Sequence, residues 1–275
     1  MTSIYTAPVY KMQDFNNLFI ELTAKNCNKR CQSCYIDFPA SNKIVKDFIT
    51  IDKIKEALLD TKQENLQCIY LTGAEPMMHP DFNAILRLCL KRCNVCICTN
   101  GSFLNEKKVR FLSKVESEGN NEILFSLSLT HFDEFENDKA KYRGHYRQTI
   151  FALKTLARYN FYSVLNIQNY YNLDTILIQK SFIKIFKDNG IENTDLKINL
   201  SYPSKENLDK DEVTKTDCMF GRCLGENGIY ACPFLSNDFR GRLGSSFKNF
   251  SKNMSAETDF CTTCSLNKKQ IFSIS

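Results

Sequence analysis

The chain has 275 residues, 43% of them hydrophobic and 24% charged, with a formal net charge of +5. These are the proportions of a globular protein, long enough to bury a full core without covalent staples. The positive charge is spread along the chain rather than gathered into a stripe, which argues against a nucleic-acid partner, and no run approaches the ~20 apolar residues of a membrane span.

Short apolar runs alternate with longer amphipathic ones. Residues 18–23 (LFIELT) read as a first strand and 51–61 as a helix with Ile54, Ala57 and Leu58 on one face. Strands are expected at 68–72, 95–99, 122–129, 163–168 and 196–200, and helices at 80–91, 105–115, 146–159 and 175–186. Pro80 suits the first turn of its helix. A βα unit repeated about six times indicates an α/β fold with a parallel sheet wrapped by helices. An open doubly wound sheet and a partial barrel both satisfy the pattern, and both bind ligands beyond the carboxyl ends of the strands. After Pro203 the pattern stops. A charged stretch, SKENLDKDEVTKTD, leads into an irregular segment of about sixty residues with five cysteines. The expected division is a core over 14–203 and a small extension over 204–275, organised by metal rather than by a core of its own.

The opening MTSIYTAPVYKMQDF lacks the apolar centre of a secretion signal, so a cytoplasmic, reducing setting is expected. There, thirteen clustered cysteines suggest metal or redox chemistry rather than disulfides. CNKRCQSC places Cys27, Cys31 and Cys34 directly after the first strand. Structural zinc is one reading, but closed zinc sites use four protein ligands, and the fourth would have to come from far along the chain. A four-iron cluster held by three thiolates, with one iron open to an outside ligand, is the favoured alternative.

CxxxCxxC in the context FIELTAKNCNKRCQSCY resembles the signature of the radical S-adenosylmethionine (SAM) superfamily. The resemblance implies a partial (β/α)6 TIM-like barrel and a [4Fe-4S] cluster on Cys27, Cys31 and Cys34. It also implies that the open iron is chelated by the amino and carboxylate groups of SAM. One electron then cleaves SAM to methionine and a 5′-deoxyadenosyl radical, which removes hydrogen from a substrate carbon. Ser33 departs from the aromatic residue common before the third cysteine, whereas Tyr35 is common in one branch. TGAEP at residues 72–76 is similar to the family's GGEP motif, with Ala74 for its second glycine. Gly73 and Ala74 let the backbone approach a ligand, and Glu75 offers an acceptor to the SAM ammonium. Asn100 and Ser126, at later strand ends, are the residues that the resemblance assigns to the SAM ribose and carboxylate, and Arg143 to the carboxylate. A capped turn, a core hydroxyl and an exposed arginine are the competing readings. Asn166 and Gln168 either face the substrate or form a satisfied polar core. His79 reads as a turn or cap residue. Cys68, Cys89, Cys93, Cys96 and Cys98 read as small buried hydrophobes.

The carboxy-terminal DCMFGRCLGENGIYACPF and DFCTTC resemble the twitch version of the SPASM domain. That implies an auxiliary [4Fe-4S] cluster on Cys218, Cys232, Cys261 and Cys264, with Asn227-Gly228 as a hairpin turn. A four-cysteine zinc knot including Cys223 is the alternative. Cys223 is otherwise a substitute ligand for Cys218, a buried thiol, or a hydrogen-atom donor in catalysis.

The leading functional expectation is a radical SAM enzyme that modifies a peptide by crosslinking, epimerisation or oxidation. It would need a reductant such as flavodoxin or ferredoxin, and the amino-terminal stretch is too short for a peptide-binding domain, so a separate peptide-binding partner is envisaged. A small-molecule dehydrogenase, an oxidoreductase, is the runner-up. A zinc-stabilised binding protein is the non-catalytic rival.

Overall fold

The computed structural model describes residues 9–11, 15–36, 47–200, 221–236 and 238–255, together with Phe260 and Cys264. The charged connection at 204–217, Cys218 and Cys261 lie outside the described residues.

The expected alternation is borne out. Six parallel strands form the centre: β2 (Asn17–Glu21), β3 (Cys68–Thr72), β4 (Asn94–Cys98), β5 (Ile123–Leu129), β6 (Ser163–Asn169) and β7 (Thr194–Leu200), side by side in chain order. Between them run α1 (Ile51–Asp60), α2 (Phe82–Leu90), α3 (Glu106–Glu116), α4 (Glu134–Ala140), α5 (His145–Arg158) and α6 (Thr175–Asn189). Local chemistry starts these helices where they start. Thr50, Asn105, Asp133 and Asp174 each accept a hydrogen bond from a backbone N–H of the first turn, satisfying donors that the helix itself leaves open. Gly190 ends α6 in the left-handed region, at φ 61°, as helix-terminal glycines do.

Alternation along each strand sorts side chains into two layers. Leu18, Ile20, Ile69, Leu71, Val95, Ile97, Phe125 and Leu127 join the helices in the main core. Phe19, Tyr70, Cys68, Cys96, Leu124, Cys223 and Tyr230 pack together in a second cluster that, among the described residues, no helix residue joins. Cys68, Cys96 and Cys223 pack here, and Cys89 and Cys93 in the main core, as small soft hydrophobes.

The carboxy-terminal segment does not stand apart from this sheet. β8 (Arg222–Gly225) pairs parallel with β2, and β9 (Gly228–Tyr230) and β10 (Arg242–Gly244) continue antiparallel, giving the order β10-β9-β8-β2-β3-β4-β5-β6-β7. Gly221 makes this possible: an added Cβ would come within 2.7 Å of the Asn17 carbonyl oxygen. The expected hairpin is present, but its two loop residues are Glu226 and Asn227, between the partners Gly225 and Gly228. A separate two-stranded ribbon joins β1 (Val9–Lys11) to β11 (Asn253–Ser255).

Candidate active site

The loop after β2 carries the first three cysteines, and hydrogen bonds from four directions fix it. Thr23 Oγ1 donates to Asp47 Oδ1 at 2.7 Å and accepts from the Asn26 backbone at 3.1 Å. Thr23 O accepts from Ala74 N at 2.8 Å, and Asn26 O from Glu75 N at 3.1 Å. The TGAEP turn therefore braces the root of the cysteine loop. Asn28 donates to Ser102 Oγ at 2.8 Å, and Asn100 Nδ2 donates to Asn28 Oδ1 at 3.0 Å and lies 3.7 Å from Cys27 Sγ. At the far end, Gln32 N donates to Lys141 O at 3.2 Å and Ser33 N to Ala140 O at 2.9 Å.

Cys27, Cys31 and Cys34 line one cavity at the carboxyl ends of the strands. Gly73, Ala74, Asn100, Ser126 and Tyr35 line the same cavity, so the structure brings together most of the residues singled out in the sequence. Asn166 and Gln168 line it from β6, and Phe234 reaches it from the carboxy-terminal segment. Tyr35 packs edge-on to Phe234, with ring centroids 4.8 Å apart, so one aromatic contact joins the cysteine loop to that segment. Ser126 Oγ accepts from Asn166 Nδ2 at 2.9 Å, and Asn166 in turn accepts from Asn199 at 3.3 Å.

Other expected residues sit elsewhere. Glu75 is fully buried, and its carboxylate accepts from Thr99 Oγ1 at 2.8 Å, Asn100 N at 2.9 Å and Met77 N at 3.1 Å. Burial raises its pKa to about 7 against those three hydrogen bonds. Arg143 is exposed and does not line the cavity. Cys223 is fully buried in the second cluster of strand residues, outside the lining of the cavity. Cys232 and Cys264 are half-buried, and their expected companions Cys218 and Cys261 lie outside the described residues. His79 is a cap: Asp81 N donates to its Nδ1 at 3.0 Å, and its Nε2 lies 2.8 Å from Ile49 O.

Two cations line the cavity, the half-buried Lys29 and the buried Lys141, and the sequence reading missed both. Lys141 follows α4, and α4 itself was missed because EFENDKA has no apolar stripe. What holds α4 is polar: Asn137, fully buried, accepts from Thr130 N at 3.0 Å and bridges to His145 Nδ1 at 3.1 Å.

Among the described residues no three Cys, His, Asp or Glu side chains stand close enough to hold a metal ion. A four-iron cube spreads its thiolates over its corners. The donor set fits the cube: three thiols on one short loop, facing one cavity. Cys98 opens on this cavity too, from β4, where it packs against the cluster that holds Cys68 and Cys96. Burial pushes the Cys27 thiol up to about 11 and raises Cys31 and Cys34 as well, with Lys141 opposing burial at both. Metal binding is what displaces protons from such thiols.

The radical SAM superfamily model matches residues 22–177 of the chain. Among solved structures, Streptococcus suis SuiB bound to the precursor peptide SuiA aligns with a TM-score of 0.64 at 13% identity, over 94% of this chain and 71% of that one. Native anSMEcpe with bound AdoMet gives a TM-score of 0.64 at 14% identity, over 86% and 78%. At these identities the two show likeness of fold. No curated protein matches the chain. The chain belongs to the radical SAM superfamily, and its α/β architecture is that family's partial TIM-like fold. Membership implies an enzyme that uses a [4Fe-4S] cluster with SAM. Among the described residues no helix is long and apolar enough to cross a membrane.

Proposed function

We propose that this protein cleaves SAM reductively and uses the 5′-deoxyadenosyl radical to take hydrogen from a carbon of a peptide, leading to a crosslink, an epimerised centre or an oxidised residue. The observation that carries this reading is the convergence of Cys27, Cys31 and Cys34 on one cavity shared with Gly73, Ala74, Asn100 and Ser126. In this reading the three thiolates hold the cluster, which when bound supplies the electron for SAM cleavage. The backbone at Gly73 and Ala74 takes the amino end of SAM, and Glu75 fixes the Asn100 turn against it. Ser126 and Asn100 hold the ribose and carboxylate end, and Tyr35 closes the side towards Phe234. Polar Asn166 and Gln168 face the substrate.

A peptide is the favoured substrate because a structure of similar fold, SuiB, binds a precursor peptide. We keep residues 14–203 as the catalytic core and 204–275 as an extension that carries one auxiliary [4Fe-4S] cluster on Cys218, Cys232, Cys261 and Cys264. Flavodoxin or ferredoxin is the proposed reductant, and a separate peptide-binding protein the proposed presenter.

The test is anaerobic. Reconstituted protein given SAM and reductant should form 5′-deoxyadenosine and hold two clusters. The triple change Cys27→Ala, Cys31→Ala, Cys34→Ala should form none and keep about one cluster. A triple variant that still produces 5′-deoxyadenosine refutes the site. A wild-type protein that binds zinc and no iron refutes the function.

A further inference from the structure

The strongest unexplained group in the cavity is Lys141. Its side chain is buried, at 6% exposure, yet among the described residues no carboxylate pairs with it. Its ammonium donates to Gln168 Oε1 at 2.9 Å and, at the limit of a hydrogen bond, to Ser128 Oγ at 3.5 Å, both neutral. A buried charge with only neutral partners is costly unless an anion joins it.

Two independent features say which anion. First, Lys141 and Ala140 receive the backbone N–H groups of Gln32 and Ser33, the two residues between Cys31 and Cys34. The turn carrying two of the three thiols is thus docked on the residue that carries the cation. Second, the Lys141 side chain lines the same cavity as Cys31 and Cys34, so its ammonium and those two thiols open on one shared volume. Lys29 lines the cavity too and Arg30 sits on the same loop, but Arg30 is exposed and Lys29 half-exposed. Water and salt weaken such charges far more than a buried one.

We propose that Lys141 is the resident counter-cation of the thiolate-held cluster, seating the Cys31–Cys34 turn through its backbone and holding the cluster's reduction potential up through its ammonium. This rests on the cluster reading given above. Adding an electron makes a thiolate-ligated cluster more negative, so a fixed buried cation favours the reduced form. Lys141 is then a charge-setting residue.

The experiment is a redox titration of the reconstituted full chain, followed by electron paramagnetic resonance and run before SAM is added. Lys141→Met removes the charge at similar length and leaves the backbone contacts in place, whereas Lys141→Arg keeps the charge. The Met variant should shift the reduction equilibrium about tenfold towards the oxidised form, a fall of about 59 mV for one electron. The Arg variant should stay close to wild type. If the Met variant takes up no cluster, an Arg variant that loads at the wild-type potential supports the proposal, and an Arg variant that also fails overturns it. An unchanged potential in the Met variant overturns it too, and weakened SAM binding in that same variant would reassign the ammonium to a ligand carboxylate. A wild type that takes up no iron brings down the cluster reading itself, a different result from a loaded wild type with an unmoved variant.

Discussion

Gly73 sits at φ +120°, and an added Cβ would lie 2.3 Å from the Thr23 carbonyl oxygen. Both facts forbid a side chain, and both concern the strand end that braces the cysteine loop. Gly73→Ala should cost on the order of 1–3 kcal/mol in stability, read as a lower Tm, and should weaken cluster loading; an unchanged Tm would show that the turn relaxes freely. Glu21 makes a second test at this scale. Its carboxyl is buried, accepts from Ser236 Oγ at 2.6 Å, and is raised to about 7, burial being the main cause. A carboxyl whose folded pKa is raised favours folding while protonated. That contribution is present in full below the unfolded value near 4.5 and is lost as pH rises through about 7. Glu21→Gln, which still accepts from Ser236, should therefore raise the Tm at pH 8 and leave it nearly unchanged at pH 4. A variant less stable than wild type at pH 8 would reverse the argument. Cys98→Ala addresses the open corner of the cluster: loading and its spectroscopic response to SAM should persist, whereas loss of the cluster would make Cys98 a fourth ligand.

At the scale of the element, α4 shows what sequence patterns miss. Its stability comes from a polar cluster, Asn137 with Thr130 and His145, and Asp138 Oδ1 accepting from Tyr146 N at 2.9 Å. Burial keeps His145 uncharged, pushing its pKa down to about 3. Asn137→Ala leaves buried donors and acceptors without partners, at a cost of about 1–3 kcal/mol each. It should lower the Tm and, because α4 ends in the residues that dock the cysteine loop, lower iron content as well. Normal iron content in a destabilised variant would uncouple the helix from the loop. The six central strands and the other helices were legible because each carries an apolar period of its own, whereas the short β1, β10 and β11 were not read. Cys68–Thr72 was read to its true limits, and the remaining boundaries moved by a few residues at most. Lys141 was not legible, since nothing local distinguishes it from the exposed Arg143 two residues later.

For the whole molecule, the consequential pairing is β8 on β2. It covers the strand that launches the cysteine loop, with Leu18, Phe19 and Ile20 opposite Arg222, Cys223 and Leu224. It also brings Phe234 to the cavity beside Tyr35. Truncation after residue 203 should leave β2 as an open apolar edge, and such edges aggregate. Light scattering or size exclusion of the truncated chain should show aggregates; a monodisperse truncated core with the parent's Tm would make the extension a free appendage.

The amino-acid sequence by itself determined the βα alternation, the family and the identity of the three loop cysteines, because hydrophobic period and motif spacing are local properties. Only the tertiary structure decided that the buried cation of the cavity is Lys141, that Glu75 turns inward to hold Asn100, and that β8 to β10 complete the sheet beside β2. Those outcomes depend on which distant segments share a buried volume, and burial, unlike periodicity, is fixed by the fold as a whole.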